Sequence, residues 1–185
     1  QTRAFFRDDS VPLPSCQLSS YGEIAPSSCI NMNHRKVVSY RAYPRGNIGD
    51  TFQGHGTHVA GSIAGAAAFS TASNVAWAAD YNGLASEAKL AFDDISADGQ
   101  SLWPGDDLSS QLFPHAALAE AKLHSNSWGG YSSEYTAYAR ECDQYTHDTN
   151  DEFLILVAAG NDGPSSGTVG EPATAKNILS VGAGG

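Results

Sequence analysis

The sequence predicts an α/β protein with three layers, in which helices cover both faces of a mainly parallel sheet. Short segments with the composition of strands alternate along the chain with segments of helical pattern. This alternation is typical of right-handed βαβ crossovers, which produce parallel sheets. The run 153–159 is apolar throughout, as expected for a parallel strand that is buried on both faces.

The first regular element follows a long segment without a clear pattern. Residues 1–36 are interrupted by Pro12, Pro14, Gly22 and Pro26, and we expect them to be irregular and insertion-like. Residues 37–43 are rich in β-branched and aromatic side chains and predict a strand. Residues 55–68, rich in Gly and Ala, predict a helix with Val59, Ile63 and Ala67 on one face.

The remaining elements continue the alternation. Further strands are predicted at 89–95, 122–128, 153–159 and 177–183. Helical patterns occupy 108–121 and 134–147, and Pro114 is expected to kink or split the first of them. Because neither a repeat nor a linker is visible, we expect one domain over residues 1–185, with a core at 37–185.

Composition excludes several classes of function. With 41% hydrophobic and 16% charged residues, the chain is expected to be globular. Its 20 acidic and 10 basic residues give a net charge of -10, and there is no Lys/Arg run, so no nucleic-acid partner is expected. No apolar run approaches the ~20 residues needed to cross a bilayer, so no membrane span is expected.

The chain has three cysteines, and an odd count leaves one without an internal partner. Cys16 and Cys29 flank a Ser/Pro-rich loop. They form either a disulfide, which would add ~3 kcal/mol in the chain-entropy model, or two free thiols, and the sequence leaves both open. There is no Cys-x-x-Cys pair, which argues against a zinc ribbon or a thioredoxin-type site.

A histidine at a predicted helix start is the first candidate for chemistry. His55 opens the segment Gly-His-Gly-Thr-His-Val-Ala-Gly, where the helix dipole disfavours the imidazolium form and so keeps the ring available as a general base. His55 and His58 are also three residues apart, as a metal-binding pair could be, but no His-Glu-x-x-His is present. Two structural histidines are the third alternative.

The segment 54–65 resembles the histidine segment of the subtilisin-like (S8) serine peptidases. The resemblance implies that His55 is the catalytic base and that His58 lies on the inner face of its helix with a structural role. It covers about residues 37–185 and is closest to the oxidatively stable alkaline protease branch. It also implies a subtilisin-like form of the α/β/α fold.

A second segment, Val-Ala-Ala-Gly-Asn-Asp-Gly at 157–163, resembles the oxyanion segment of the same family. By that resemblance, the side-chain amide of Asn161 donates to the developing oxyanion. An Asn just past a strand end suits this role, because it is a neutral donor that the turn fixes before the reaction. An ordinary Asn-Asp-Gly turn is the alternative reading, but the order of the two segments favours the catalytic one.

Asn-Ser-Trp-Gly-Gly at 126–130 and Gly-Thr-Val-Gly-Glu-Pro at 167–172 resemble the wall and the floor of the family's S1 pocket, and residues 101–105 would by their position form the S2–S4 side of the groove. A polypeptide substrate would pair with exposed backbone by β-augmentation. Glu171, beside the expected S1 pocket, would favour a basic P1 side chain. The substrate-binding residues implied by the resemblance lie on the S2–S4 side (Leu102, Trp103 and Gly105) and around S1 (Ser127, Trp128, Gly129, Ala159, Gly160 and Gly170). Trp103 is read equally well as a partly buried loop aromatic.

The family's nucleophile and acid motifs are missing. The nucleophilic serine lies in Gly-Thr-Ser and the acid in Asp-[Ser/Thr]-Gly, and neither motif occurs in the sequence. Asp8 and Asp9 imitate the context of the acid only faintly. We therefore expect a fold that is incomplete at both ends, an internal fragment without peptidase activity of its own.

Three functional readings remain at this stage. The first is a serine endopeptidase in the intact protein, and the second is a non-catalytic pseudopeptidase that binds peptides. The third is a metal-dependent hydrolase using His55 and His58. The first needs no cofactor, although structural calcium at acidic loops such as 93–94 and 106–107 is possible. We expect a monomer that is secreted or extracellular.

Overall fold

The computed structural model describes residues 4–46, 48–50, 54–68, 78–96 and 101–184. The chain divides into two compact units, residues 1–104 and residues 105–185. Each unit contains its own parallel three-stranded sheet, and the two units are described separately below.

The sheet of the first unit consists of β1 (Ser15–Gln17), β2 (Val37–Ala42) and β3 (Leu90–Asp94), in the order β1-β2-β3. All neighbouring strands are parallel. Strand β2 pairs on both edges, and all six of its residues are buried. Its alternating polar residues therefore need partners inside the protein, and the Arg41 guanidinium accordingly contacts the Asp93 carboxylate of β3 at 2.7 Å.

Helix α1 (His55–Ala64) belongs to the first unit. Its Ala60 is part of a core cluster with Phe6, Val37, Tyr40 and Ala42. The buried face of α1 is not the one that carries Val59 and Ile63: Ala60 and Ala64 are buried, and Ile63 is 37% exposed.

Small residues explain which face of α1 is buried. A Cβ added to Gly56 would lie only 3.1 Å from the Phe92 ring, so the helix approaches β3 through a glycine. At the far end, a Cβ on Gly83 would lie 2.5 Å from the Gly61 carbonyl oxygen, and residues 83–85 donate hydrogen bonds to carbonyls at the end of the helix. Close approach at both ends turns the small residues inward, and the larger Ile63 is left outside.

The first 36 residues are less irregular than the sequence suggested. They contain β1, a 3-10 turn (Ser27–Cys29) and a disulfide between Cys16 and Cys29. The Arg35 guanidinium donates to the carbonyls of Arg7, Ala66 and Ala4, which ties the beginning of the described chain to the segment after α1. Backbone pairing with β2, which composition does not reveal, orders this segment.

The second unit contains β4 (Leu123–Asn126), β5 (Leu154–Ala158) and β6 (Leu179–Val181), in that order and all parallel. Its helices are α2 (Leu108–Gln111), α3 (Phe113–Leu118) and α4 (Ala137–Gln144), and α4 continues as a π-helical turn (Tyr145–Thr149). Pro114 lies in the first turn of α3, where its missing N–H costs no helical hydrogen bond. The proline thus splits the helical segment, as predicted.

The core of the second unit is aromatic. The rings of Phe113, Tyr145 and Phe153 lie with centroids 5.1–6.1 Å apart, and the His124 ring packs against Phe113 and Phe153. In β5, Ile155 and Val157 are buried, whereas Leu154 is 39% exposed. The expectation that this strand is buried on both faces is therefore wrong within residues 105–184, where its other face is left open.

The predicted strands and helices are present with shorter bounds. The strands end one or two residues inside the predicted ranges. Parallel sheets with flanking helices agree with the predicted α/β class. In the part of the chain that is described, no helix is both long enough and apolar enough to cross a membrane.

Candidate active site

His55 is the first residue of α1 and is exposed. Gly54 before it has φ of +64°, a conformation that favours glycine and turns the chain into the helix. The Asp50 carboxylate accepts the N–H of Thr57 at 2.8 Å and so satisfies one of the unpaired donors of the first turn. The helix start is therefore fixed by side-chain capping while the imidazole remains accessible.

His58 is exposed, so its expected position on the inner face of α1 is wrong. The face that packs against the sheet carries Gly56, Ala60 and Ala64, which repeat every four residues, and His58 lies off that row. Among the described residues, no group of three or more His, Cys, Asp or Glu side chains is placed to hold a metal ion.

Most of the acidic residues that were candidates for calcium binding or for the triad acid have side-chain partners in the protein. Asp94 accepts the hydroxyl of Tyr40 at 2.7 Å, and Asp107 accepts the N–H of Ser109 at 2.9 Å as the N-cap of α2. Asp8 accepts the hydroxyl and N–H of Ser10 and the N–H of Arg35, and these hydrogen bonds hold the pKa of its carboxyl well below the usual range. Asp8 thus stabilises its own turn.

The expected S1 segments lie side by side in the second unit. The Gly130 N–H donates to the Glu171 carbonyl at 2.8 Å, and the Glu171 N–H donates to the Ser132 carbonyl at 2.8 Å. The contact needs glycine on both sides, because a Cβ on Gly170 would lie 2.1 Å from the Gly130 carbonyl oxygen. Ser127 and Gly129, which precede this pairing, are both exposed.

Ala159 connects this pairing to the end of β5. Its N–H donates to the Val181 carbonyl at 2.9 Å, and its carbonyl accepts the N–H of Gly170 at 3.3 Å. Gly160 follows with φ of +105° and turns the chain away from the strand direction. Asn161 comes next in the exposed turn, where its side chain is accessible to a ligand.

Trp128 packs edge-on against Tyr138, with ring centroids 6.4 Å apart. The Tyr138 hydroxyl donates to the Gly105 carbonyl at 2.8 Å, and Gly105 itself is buried. Gly105 has φ of +111° and packs on Gln111, and its carbonyl is already bound to Tyr138, so this carbonyl is not free to pair with a substrate in the structure. Burial, together with the nearby carboxylates of Glu141, Asp106 and Glu171, raises the pKa of Tyr138.

Leu102 and Trp103 lie in the first unit and are 55% and 38% exposed. Leu102 forms an antiparallel bridge with Ser96, and the Trp103 N–H donates to the Ile95 carbonyl at 2.8 Å. The Trp103 ring contacts Tyr21 at 6.3 Å between centroids. Trp103 is thus partly exposed and also packed against another aromatic ring.

The third cysteine, Cys142, is buried in α4 and has no disulfide partner. Burial raises the pKa of its thiol to about 12. At neutral pH it is therefore protonated, which argues against a role as a nucleophile.

Residues of the expected site occur in both units, and each unit is taken by itself. The first carries His55, Leu102 and Trp103. In the second, Gly129 and Gly130 lie against Glu171, and the neighbouring Gly170 pairs with Ala159, which Gly160 and Asn161 follow in the chain. Sequence reasoning missed the capping role of Asp50, the pairing of Gly130 with Glu171, and Tyr138. Only the Gly-Gly pair gave a signal, since paired glycines mark close backbone approach.

Comparison with known proteins identifies the family. The family model described as the subtilase family, peptidase S8, matches residues 21–185. The chain belongs to the subtilase family. The matched region begins inside the segment that the sequence suggested was an insertion, so part of that segment is common to the family model.

Relatives of this subtilase chain occur in Dictyostelium discoideum. The chain is 38% identical to the serine protease/ABC transporter B family protein tagD over 175 residues, 91% of the chain, and 37% identical to tagB over 188 residues, 98% of the chain. A third relative, tagA of the same description, is 30% identical over 159 residues, 83% of the chain. The chain spans 9% of the length of each relative. Membership of this family supports a serine peptidase function at the level of the family.

Proposed function

We propose that this chain is the central part of a serine endopeptidase domain that hydrolyses peptide bonds through an acyl-enzyme in the intact protein. The observation that carries the proposal is the arrangement around Ala159. Hydrogen bonds connect Gly130 to Glu171 and Gly170 to Ala159, and the exposed Asn161 follows two residues later. This arrangement supports a pocket wall next to an oxyanion donor.

In the proposed reaction, the hydroxyl oxygen of a serine attacks the carbonyl carbon of the scissile peptide bond. The His55 imidazole accepts the serine proton, and the side-chain amide of Asn161 donates to the oxyanion of the tetrahedral intermediate. His55 then gives the proton to the departing amine, and an ester between the serine and the acyl group remains. Water hydrolyses this ester with His55 again acting as base. The chemistry needs no cofactor.

The serine and the aspartate that orients His55 are proposed to come from parts of the protein other than these 185 residues. Neither family motif, Gly-Thr-Ser or Asp-[Ser/Thr]-Gly, occurs in the sequence. The chain also spans only 9% of each relative, so a longer parent protein would have room for both. On this proposal the 185 residues alone have no peptidase activity.

Binding of the polypeptide substrate is proposed to use exposed backbone. Ser127 and Gly129 are exposed beside Gly130, and Trp103 and Leu102 are exposed in the first unit. Extended peptides bind such edges through main-chain hydrogen bonds, with alternate side chains entering pockets. An extracellular location, a monomeric state and structural calcium remain predictions from the sequence.

The proposal is tested by labelling the full-length protein with a fluorophosphonate probe, which reacts with an activated serine. We expect labelling of the wild-type protein and its loss in His55→Ala, because the base that activates the serine is removed. His58→Ala is the matched control, since His58 is an exposed histidine of the same helix, and it should be labelled like the wild type.

Two other results would contradict the proposal. A pseudopeptidase would show no labelling in the wild-type protein, and its downstream sequence would lack the serine of Gly-Thr-Ser. A metal-dependent hydrolase would lose activity both with a chelator and in His58→Ala, while remaining unlabelled.

A further inference from the structure

Three aromatic rings of the first unit form a cluster that the expected reaction does not use. Tyr21 packs edge-on against Tyr43, with centroids 5.6 Å apart, and against Trp103, with centroids 6.3 Å apart. We call Tyr21, Tyr43 and Trp103 the aromatic cluster. Tyr21 comes from the segment closed by the disulfide, whereas Trp103 lies on the expected S2–S4 side of the substrate groove. The cluster thus connects the N-terminal segment to the substrate side.

Tyr21 is held in place by the structure around it. The Cys16–Cys29 disulfide closes its loop, and β1 pairs with β2 at the start of that loop. The Gln17 side-chain amide donates to the carbonyls of Tyr43 and Gly46 at 2.7 and 2.8 Å. On the other side, the Glu23 carboxylate accepts the N–H and hydroxyl of Ser19. The turn that carries Tyr21 is therefore fixed at both ends.

Tyr43 is the member of the aromatic cluster that the surrounding protein holds most firmly in place. It is fully buried, its hydroxyl donates to the Pro104 carbonyl at 3.0 Å, and the Arg41 guanidinium lies over its ring at 5.0 Å. Arg41 is itself held by Asp93. Because Tyr43 contacts both Tyr21 and the residue after Trp103, it fixes the distance between the disulfide loop and the Trp103 segment.

We propose that Tyr21 is a positioning residue that holds Trp103 as one wall of a substrate pocket on the S2–S4 side. The inference rests on the proposed function, since it requires a peptide to bind beside Leu102 and Trp103. The Trp103 ring is 38% exposed, so one part of it packs on Tyr21 while the rest is open to a ligand. Leu102, 55% exposed, adds apolar surface next to it.

The chemistry of this surface selects for large apolar or aromatic side chains in the substrate. An aromatic side chain buries a large apolar area and gains an additional ring–ring interaction. In an extended peptide, alternate side chains point the same way, so P2 and P4 are the positions that can face Trp103. An indole that is already held in place binds such a side chain more tightly than a mobile indole would, because the indole loses less side-chain entropy on binding.

The experiment measures kcat/KM of the full-length protein on peptides with a constant P1 residue and either Phe or Ala at P4, and likewise at P2. The ratio of the Phe and Ala values is the aromatic preference at each position. We expect Tyr21→Ala to lower this preference by about 3- to 10-fold at one of the two positions, the range of an aromatic pair. Tyr21→Phe should retain it, since the ring remains.

Two further variants make the result specific. Tyr81→Ala removes a tyrosine that is 69% exposed in the same unit and should leave the aromatic preference unchanged. Trp103→Ala should abolish the preference. Fluorophosphonate labelling of every variant reports whether the active site has folded, and a merely structural role for Tyr21 would lower kcat/KM equally on Phe and Ala peptides.

Three outcomes overturn the inference. If Tyr21→Ala lowers kcat/KM equally on both peptides, Tyr21 stabilises the fold and does not position Trp103. If Trp103→Ala alone lowers the preference, Trp103 binds substrate without Tyr21. If neither variant changes the preference while labelling still depends on His55, the pocket is elsewhere and the proposed peptidase function remains. Loss of His55-dependent labelling in the wild-type protein would instead contradict the proposed function itself.

Discussion

Arg41 and Asp93 form a buried ion pair in the first unit. The two side chains are 1% and 10% exposed and lie 2.7 Å apart. Removal of one partner leaves the other charge buried, which costs far more than the loss of a surface pair. Asp93→Ala should therefore lower the free energy of unfolding by about 3–5 kcal/mol, measured by urea denaturation.

The exposed pair Lys122–Glu152 supplies the control for this measurement. Its side chains are 61% and 73% exposed, so Glu152→Ala should cost less than about 1 kcal/mol. An Asp93→Ala protein as stable as Glu152→Ala would show that the Arg41 charge finds water or another partner, against this prediction.

Asp94 makes stability depend on pH. Burial raises the pKa of its carboxyl above the ordinary value of 3.8, although hydrogen bonds from Tyr40 and Ser96 oppose the shift. The folded state therefore keeps this proton where the unfolded chain has lost it. The stabilising contribution is complete below pH 3.8 and is lost as pH rises through the raised pKa.

Asp94→Asn removes this titration and keeps a side-chain oxygen that accepts hydrogen bonds. Over the range that begins at pH 3.8, we expect Asp94→Asn to gain stability relative to the wild type as pH rises. The measurement is the difference in unfolding free energy between the two proteins at several pH values. A difference that is constant or falls with pH would refute the assignment.

The position of a single residue could be predicted from the sequence where the residue belongs to a recognisable segment of several residues. The histidine segment places His55 at the start of a helix, and the structure begins α1 at that residue. Tyr21 and Tyr138 gave no such signal, because their roles depend on contacts with residues far along the chain, Trp103 and Gly105. The burial of Gly105 gave no signal for the same reason, because it depends on the tertiary contact with Tyr138.

At the scale of elements, the pairing of two loops depends on glycine. Gly170 lies so close to the Gly130 carbonyl that an added Cβ would be 2.1 Å from the oxygen. Gly170→Ala must therefore separate these segments or distort them, at a cost of about 1–3 kcal/mol. If the distortion affects the bound transition state, kcat/KM of the full-length protein should fall roughly 5- to 150-fold.

Gly182→Ala is the matched control, because a Cβ there would meet the Ala159 Cβ at an ordinary 3.7 Å. It should leave kcat/KM almost unchanged. Equal activity in Gly170→Ala and Gly182→Ala would mean that the Gly130–Gly170 contact does not shape the pocket.

The disulfide loop is a second element whose contribution can be measured. Cys16 and Cys29 are 13 residues apart, and closing a loop of that length stabilises the fold by ~3 kcal/mol in the chain-entropy model. The double variant Cys16→Ser, Cys29→Ser should lower the unfolding free energy by up to that amount. Cys142 remains in the variant as an internal control for thiol reactivity, since it is buried.

Reduction of the wild-type protein gives an independent check. It should lower thermal stability to the level of the double variant, and reduction of the double variant should have no effect. The reductant is added while the wild-type protein is unfolded, so that it can reach the cysteines. If the stability then stays the same, this would argue against a disulfide at this position.

The alternation of strand and helix patterns was sufficient to predict most elements, because the spacing of apolar residues within each segment indicates which side of it is buried. It was insufficient for the face of α1 and for β1. The helix packs through Gly56 and Ala60, which composition ranks below Ile63 as core residues. Strand β1 is only three residues long and exists through pairing with β2. Close backbone approach and nonlocal pairing are properties of the folded chain.

At the scale of the molecule, charge is the property that the sequence specifies most directly. The chain has twice as many acidic as basic residues, with a net charge of -10. Charges attract a ligand mainly within a Debye length, which is about 8 Å at physiological salt, so the acidic residues of this chain that lie near the proposed site would act on a peptide bound there. Glu171, whose carbonyl pairs with Gly130, would add a negative charge close to P1 in the proposed pocket.

A cationic peptide should therefore associate faster than a neutral one of the same length. With the full-length protein, we expect kcat/KM for a peptide with Lys at P1 and further Lys residues outside P1–P4 to fall as salt rises from about 50 to 500 mM. A neutral analogue should change little over the same range, because screening acts only on charged partners. Glu171→Gln should reduce the preference for Lys at P1 and leave the effect of distant Lys residues intact, which separates local recognition from long-range attraction. A salt dependence that is identical for the cationic and neutral peptides would exclude the charge of this chain as a determinant of substrate choice.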